Sequence, residues 1–282
     1  MNESTEAMQI NKVSRSVVNL QDSQYYFNRE MSWLEFNYRV LHEALDERTL
    51  LLERLKFSAI FSSNLNEFLM VRMSDFKRQI AADCDRLTPD GRTPRQQLIE
   101  LEQRLKPMVA LQHQNFEQNL RPQLAAAGVN LLSYSELDPE QRIYSDRFFE
   151  EQIFPLLTPL GLDLGHPFPH ISNLSFNIAV IVKNYQTDTL RFARIKVPET
   201  LPRFIQLPHQ QQSENSSKAI WTGVPIEQII THNLSAIFRL EIQEYSCFRI
   251  TRNADFPVQE AEAEDLFSRK LRNAILKALP FD

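Results

Sequence analysis

The spacing of apolar residues changes character once along this chain, close to Gly128, and that change limits the folds open to it. Before it, apolar residues recur at helical intervals: Leu34, Tyr38, Leu41 and Leu45, then Leu52, Leu55 and Ala59, then Leu98, Leu101, Leu105 and Met108. A 3.6-residue period means one buried stripe per helix. After it, SFNIAVIVKN and RFARIKV are β-branched and alternate, separated by YQTDT, as in a hairpin with a polar turn. The chain should therefore be α+β, with an all-helical N-terminal domain over residues 25–127 and an α+β head domain, mainly antiparallel in its sheet, over residues 128–282. Residues 1–24 are polar and aperiodic and read as a mobile tail.

Local signals place the elements. Ser32 and Glu35 make a capping box that starts a helix at Trp33. A second helix fits residues 51–61, and Asn64, followed by Glu67, reads as the N-cap of a third that carries Arg72 and Lys77. Thr93 and Pro94 open a long helix that Pro107 should bend and Gly128 should end. In the head, a strand is expected at 129–132, a helix from Asp138 to Phe154, a proline-rich connection at 154–170, a helix over 225–239, a strand over 245–252 and a closing helix over 260–279.

Of 282 residues, 43% are hydrophobic and 24% charged, the composition of a globular protein with room for a substantial core. Five glycines against fifteen prolines leave little scope for glycine-rich phosphate loops, and neither GxxxxGK[ST] nor GxGxxG is present. A net charge of −5 and the lack of a basic stripe interleaved with aromatics exclude nucleic acid as the main partner. No signal peptide or membrane-length apolar run is seen, so a cytoplasmic location is expected. Cys84 and Cys247 lack metal-ligand spacing, and His166 and His170 flank prolines that prevent the helix on which an i,i+4 pair would converge, so no metal site is expected.

Four blocks carry a resemblance: FNREMSWLEFNYRVLHEA, LLERLKFSAIFSSNLNEFLMVR, HPFPHISNLSFNIAV and FRITRNADF. In that order they resemble the opening segment of polyphosphate kinase, the family that transfers the γ-phosphate of ATP to inorganic polyphosphate. The resemblance implies that Asn64, in the place of the Asn of SSNLDEF, binds ATP at its adenine end. Here the motif reads SSNLNEF, with Asn66 where the family has Asp. It also implies a homodimer, partly through the helical domain. The family's nucleophilic histidine lies in an HxK motif of later, phospholipase D-like domains, with Mg²⁺ assisting. None of the six histidines here is followed two positions on by lysine, so no catalytic residue is expected in this chain, which should stop before those domains and be inactive alone.

Arg72, Arg194, Lys196 and Arg203 are candidate phosphate or polyanion contacts, weighed against a solvated face in which Arg72 and Lys77 pair with Glu67 and Asp75 and against an ordinary basic strand face at Arg194 and Lys196. Two functions follow. One is the ATP-binding, dimerising N-terminal portion of such a kinase, working with a C-terminal catalytic half or a full-length subunit. The other is a non-catalytic interaction module of the same descent.

Overall fold

The computed structural model describes residues 19–84, 86–162, 171–184, 189–208 and 219–252. His166, His170, the expected closing helix and the first eighteen residues of the expected tail lie outside them. The first unit is helical: α1 (Arg29–Leu45), α2 (Leu51–Phe68), α3 (Ser74–Ala81), α4 (Pro94–Asn115) and α5 (Arg121–Ala126). Its core gathers Leu34, Leu41, Phe61, Leu65, Phe68, Leu101 and Met108. The fully buried stripe of α1 is Leu34, Asn37, Leu41 and Ala44, so Tyr38 and Leu45 sit at its margin rather than on it.

α1 starts a turn earlier than the Ser32 box predicts. Asn28 is the cap, its Oδ1 accepting from the Met31 amide at 3.0 Å. The Ser32 hydroxyl turns back to the Asn28 carbonyl, 2.7 Å, and Glu35 pairs with Arg104 on α4 at 2.6 Å. Asn28 prevails because tertiary partners hold its carboxamide in place: it donates to Gln97 at 2.9 Å and to Asp90 at 3.2 Å. Such local caps compete on nearly equal terms until a distant contact favours one.

The Asp90 carboxylate is nearly buried and also takes the Arg92 guanidinium. Burial pushes its pKa up, but hydrogen bonds from Thr88, Arg92 and Asn28 outweigh that and hold it below its ordinary 3.8. A carboxylate with a depressed folded pKa stabilises the fold above its ordinary value, and that stabilisation disappears as pH falls through the lowered one. Asp90→Asn should therefore flatten the loss of thermal stability below pH 4 relative to wild type, in melts followed by circular dichroism.

The second and third expected helices are one. α2 runs through Asn64 and passes by a π-helical turn, Leu69–Met73, into α3. Phe61, Leu65 and Phe68 extend the buried stripe across the proposed break, and no Gly or Pro interrupts it. α4 opens on the predicted Thr93 capping box and keeps Pro107 inside its run. A second π turn, Phe116–Leu120, leads to α5 and to Gly128, whose φ of +87° and carbonyl, which accepts from Ile220 at 2.8 Å, bring the chain into the head.

The head holds α6 (Pro139–Phe148), a π turn (Phe149–Ile153), α7 (Ile226–His232), α8 (Leu234–Phe238) and two sheets. β2 (Pro159–Leu162), β4 (Thr189–Lys196), β3 (Phe176–Asn184) and β7 (Glu241–Arg249) lie in that order, all antiparallel. β1 (Val129–Leu131), β6 (Trp221–Pro225) and β5 (Phe204–Gln206) form the smaller sheet, in which β1 and β6 are parallel. The hairpin of β3 and β4 is as predicted. β2 falls in the expected proline-rich connection, where an edge strand tolerates Pro159. The helix expected over 225–239 divides at Asn233, which donates to the Ile229 carbonyl at 3.0 Å. β7 starts and ends earlier than the strand expected over 245–252.

β3 is central and apolar on both faces. Ile178, Val180 and Val182 join Phe149, Ile153, Ile195, Val224, Ile229 and Ile230 in the main head core. Ala179 and Ile181 face Ile171, Ile250, Phe192 and Phe248 on the other side. Among the described residues no helix is long and apolar enough to cross a membrane.

Candidate functional site

Asn64 lies inside α2, four residues before its end, on the side that meets α1. It caps nothing. Its Nδ2 donates to Asn37 Oδ1 at 3.1 Å, and Asn37 Nδ2 donates to the Phe61 carbonyl at 3.1 Å. Asn37 is fully buried, so this relay is shielded from water, whereas Asn64 is half-exposed. One N–H of the Asn64 amide thus fixes the plane of the group. Its Oδ1 and second N–H have no partner among the described residues, which leaves an acceptor and a donor side by side at the surface.

One turn along each helix, Trp33 stacks on Phe68 with centroids 4.3 Å apart and planes at 13°. Ile60, one turn before Asn64 on α2, and Phe36 on α1 are both exposed. Ile60 and Phe68 thus lie one turn either side of Asn64 on α2, and apolar neighbours at such spacing give a planar ligand burial as well as hydrogen bonds. Sequence reasoning singled out Asn64 and passed over Asn37. The signal was present: an Asn three residues after Leu34 and four before Leu41 falls on a buried stripe and has to find partners there.

The four basic candidates do not all share one surface. Arg72, on the Leu69–Met73 turn, lies 4.0 Å from Glu30, a nearly buried carboxylate that also holds Arg29 at 2.8 Å. The expected pairing with Asp75 does not form, because Asp75 takes Arg78 and Gln79. Arg194 is 6% exposed, and burial lowers its pKa, so it does not belong to an exposed basic strand face. Lys196 shares its face of the sheet and reaches Ser172 Oγ at 3.3 Å. Arg203 stands on the opposite face, 4.2 Å above the Phe176 ring and 3.3 Å from Glu227. Arg194 and Lys196 are thus separated from Arg203 by the sheet itself.

Comparison with known proteins agrees with this architecture. The family described as the polyphosphate kinase N-terminal domain matches residues 26–132, and the polyphosphate kinase middle domain matches residues 140–277. The chain belongs to the polyphosphate kinase family. A polyphosphate kinase of Synechocystis sp. is 54% identical over 255 residues, which are 90% of this chain and 35% of that protein. One of Halalkalibacterium halodurans is 41% identical over 260 residues, 90% of this chain and 36% of that one. The crystal structure of polyphosphate kinase from Porphyromonas gingivalis superposes with a TM-score of 0.71 at 28% identity, over 83% of this chain and 34% of that one. The chain thus spans about a third of the length of these polyphosphate kinases, over their N-terminal part.

Proposed function

We propose that this chain is the nucleotide-side part of a polyphosphate kinase, in which the helical unit holds the adenine end of ATP through Asn64. The observation that carries this reading is the buried relay from the Phe61 carbonyl through Asn37 to Asn64, which orients an amide at the surface and leaves its acceptor and second donor unused. An amide in that state pairs with the N6 amino group and an adjacent ring nitrogen of adenine. The neighbouring apolar surface favours a flat base. Arg72, farther along the same helical run, adds positive charge toward the phosphates.

In the assembled enzyme ATP gives its γ-phosphate to polyphosphate, and a histidine outside this chain serves as nucleophile. Among the described residues no three His, Cys, Asp or Glu side chains come together to hold a metal ion. The chain works in the cytoplasm, where ATP is found, as a homodimer or in association with a catalytic half or a full-length subunit.

Calorimetric titration of the 282-residue chain with ATP tests the reading. Asn64→Ala should weaken ATP binding about tenfold, the worth of one or two hydrogen bonds, with helicity unchanged. GTP, which carries a carbonyl where adenine carries its amino group, should bind more weakly than ATP to the wild type. Equal affinities for the two nucleotides, or an Asn64→Ala variant that binds like wild type, would sink it. The second reading, a non-catalytic interaction module, draws on the exposed run Tyr25, Tyr26 and Phe27, the last 93% exposed. It predicts self-association without ATP affinity.

A further inference from the structure

The two units meet at a second place, far from their covalent junction near Gly128. Arg249, the last residue of β7, donates from Nη2 to Asn66 Oδ1 at 2.9 Å, across 183 residues of sequence. One turn along from Asn66, the Met70 sulfur accepts from Asn173 Nδ2 at 3.1 Å. Both head-side residues belong to one piece of structure. Arg249 is paired with Phe176 at the end of β3, the Leu174 amide donates to the Ile250 carbonyl at 2.8 Å, and the Arg252 amide donates to Asn173 Oδ1 at 2.8 Å.

On the helical side the contacts flank the place where α2 passes into the Leu69–Met73 π turn. A π turn spends one extra residue per turn and is weaker than α-helix, so it is a natural point of flexure. Asn66 lies two residues beyond Asn64, within the same turn of α2.

We propose that Arg249 is a positioning residue: through Asn66 it fixes the turn of α2 that presents Asn64, and so couples the set of the head unit to the nucleotide end of the site. The coupling to ATP rests on the reading given above for Asn64; the clasp itself does not. The bond is exposed and joins a charged donor to a neutral acceptor, so it is weak enough to open and specific enough to orient. A carboxylate at position 66 would strengthen it, because charge on both partners shortens and strengthens such a bond.

The test uses the 282-residue chain as wild type, Arg249→Ala, Asn66→Ala, the double variant and Asn66→Asp, with peptide-level amide hydrogen exchange and ATP titration on each. Arg249→Ala should speed exchange several-fold over residues 66–73 and 171–175 and raise the ATP dissociation constant about fivefold, the lower end of ordinary coupling between sites, with the melting temperature unmoved. The double variant should match either single one, since both lose the same bond, and Asn66→Asp should slow exchange and tighten ATP binding. Unchanged exchange over residues 66–73 in Arg249→Ala, or single effects that simply add, would overturn the clasp. If the wild type binds no ATP, the nucleotide reading fails, and the exchange results still decide on the clasp.

Discussion

Replacing Phe61 with alanine should cost the helical unit about 3–5 kcal/mol, enough to unfold much of it at ambient temperature. Phe61 is among the largest fully buried side chains, and it packs in the cluster that holds Leu34, Leu41, Leu65, Leu101 and Met108 together. Its removal takes away the apolar area of a whole ring and leaves a cavity that four rigid helices cannot close. The chain is well suited to the measurement, because its two tryptophans fall one in each unit: Trp33 on α1 and Trp221 on β6. With Trp221→Phe as background, urea unfolding followed by Trp33 emission should shift sharply for Phe61→Ala. With Trp33→Phe as background, the Trp221 transition should move much less, because the head keeps its own core. A loss below about 1 kcal/mol would mean that the site collapses freely, contrary to the packing described.

Asn37→Asp should be the most damaging single change at the candidate site, and its damage should depend on pH. The new carboxyl is close in shape to the amide it replaces. Protonated, it still donates to the Phe61 carbonyl and accepts from Asn64; ionised, it places a buried charge against that carbonyl. Burial and the carbonyl both disfavour the charged form, so its folded pKa lies above the ordinary value near 4. The variant should therefore come close to wild type below about pH 4 and lose stability as pH rises from there, by about 3 kcal/mol at pH 7. Wild type, with Asp90 depressed, should behave in the opposite sense on the acid side. Thermal melts between pH 3.5 and 7.5 distinguish the two. ATP affinity of the variant at pH 7 should fall with the relay, since Asn64 loses the partner that sets its plane. A pH-independent loss would show that Asn37 contributes shape alone.

Much of the candidate site was legible, and the part that was not has a common cause. The motif around Asn64 marked the residue on which the reading proposed here rests, yet its capping role was a local inference that the structure replaces. An Asn before a Glu three residues on looks the same in sequence whether it opens a helix or sits inside one. What decided was the continuation of the stripe through Phe61, Leu65 and Phe68 and the presence of Asn37 across the helix interface. Ser32 and Asn28 posed the same ambiguity, and Gln97 and Asp90 settled it. The basic residues could be counted along the chain, but whether Arg194 was buried and on which side of the sheet Arg203 stood could not.

The amino-acid sequence by itself determined the kind of each major element and the passage from a helical unit to a sheet-bearing one, because a 3.6-residue or two-residue apolar period commits each segment to a single face it can bury. It also determined the family, through motifs in fixed order. Only the tertiary structure decided which cap opens α1, that β2, β5 and β6 are strands at all, and that Asn66 meets Arg249. Those features have too few residues, or too much chain between partners, for any local preference to outweigh its rivals; a three-residue strand such as β5 is stable only because a neighbour takes its hydrogen bonds.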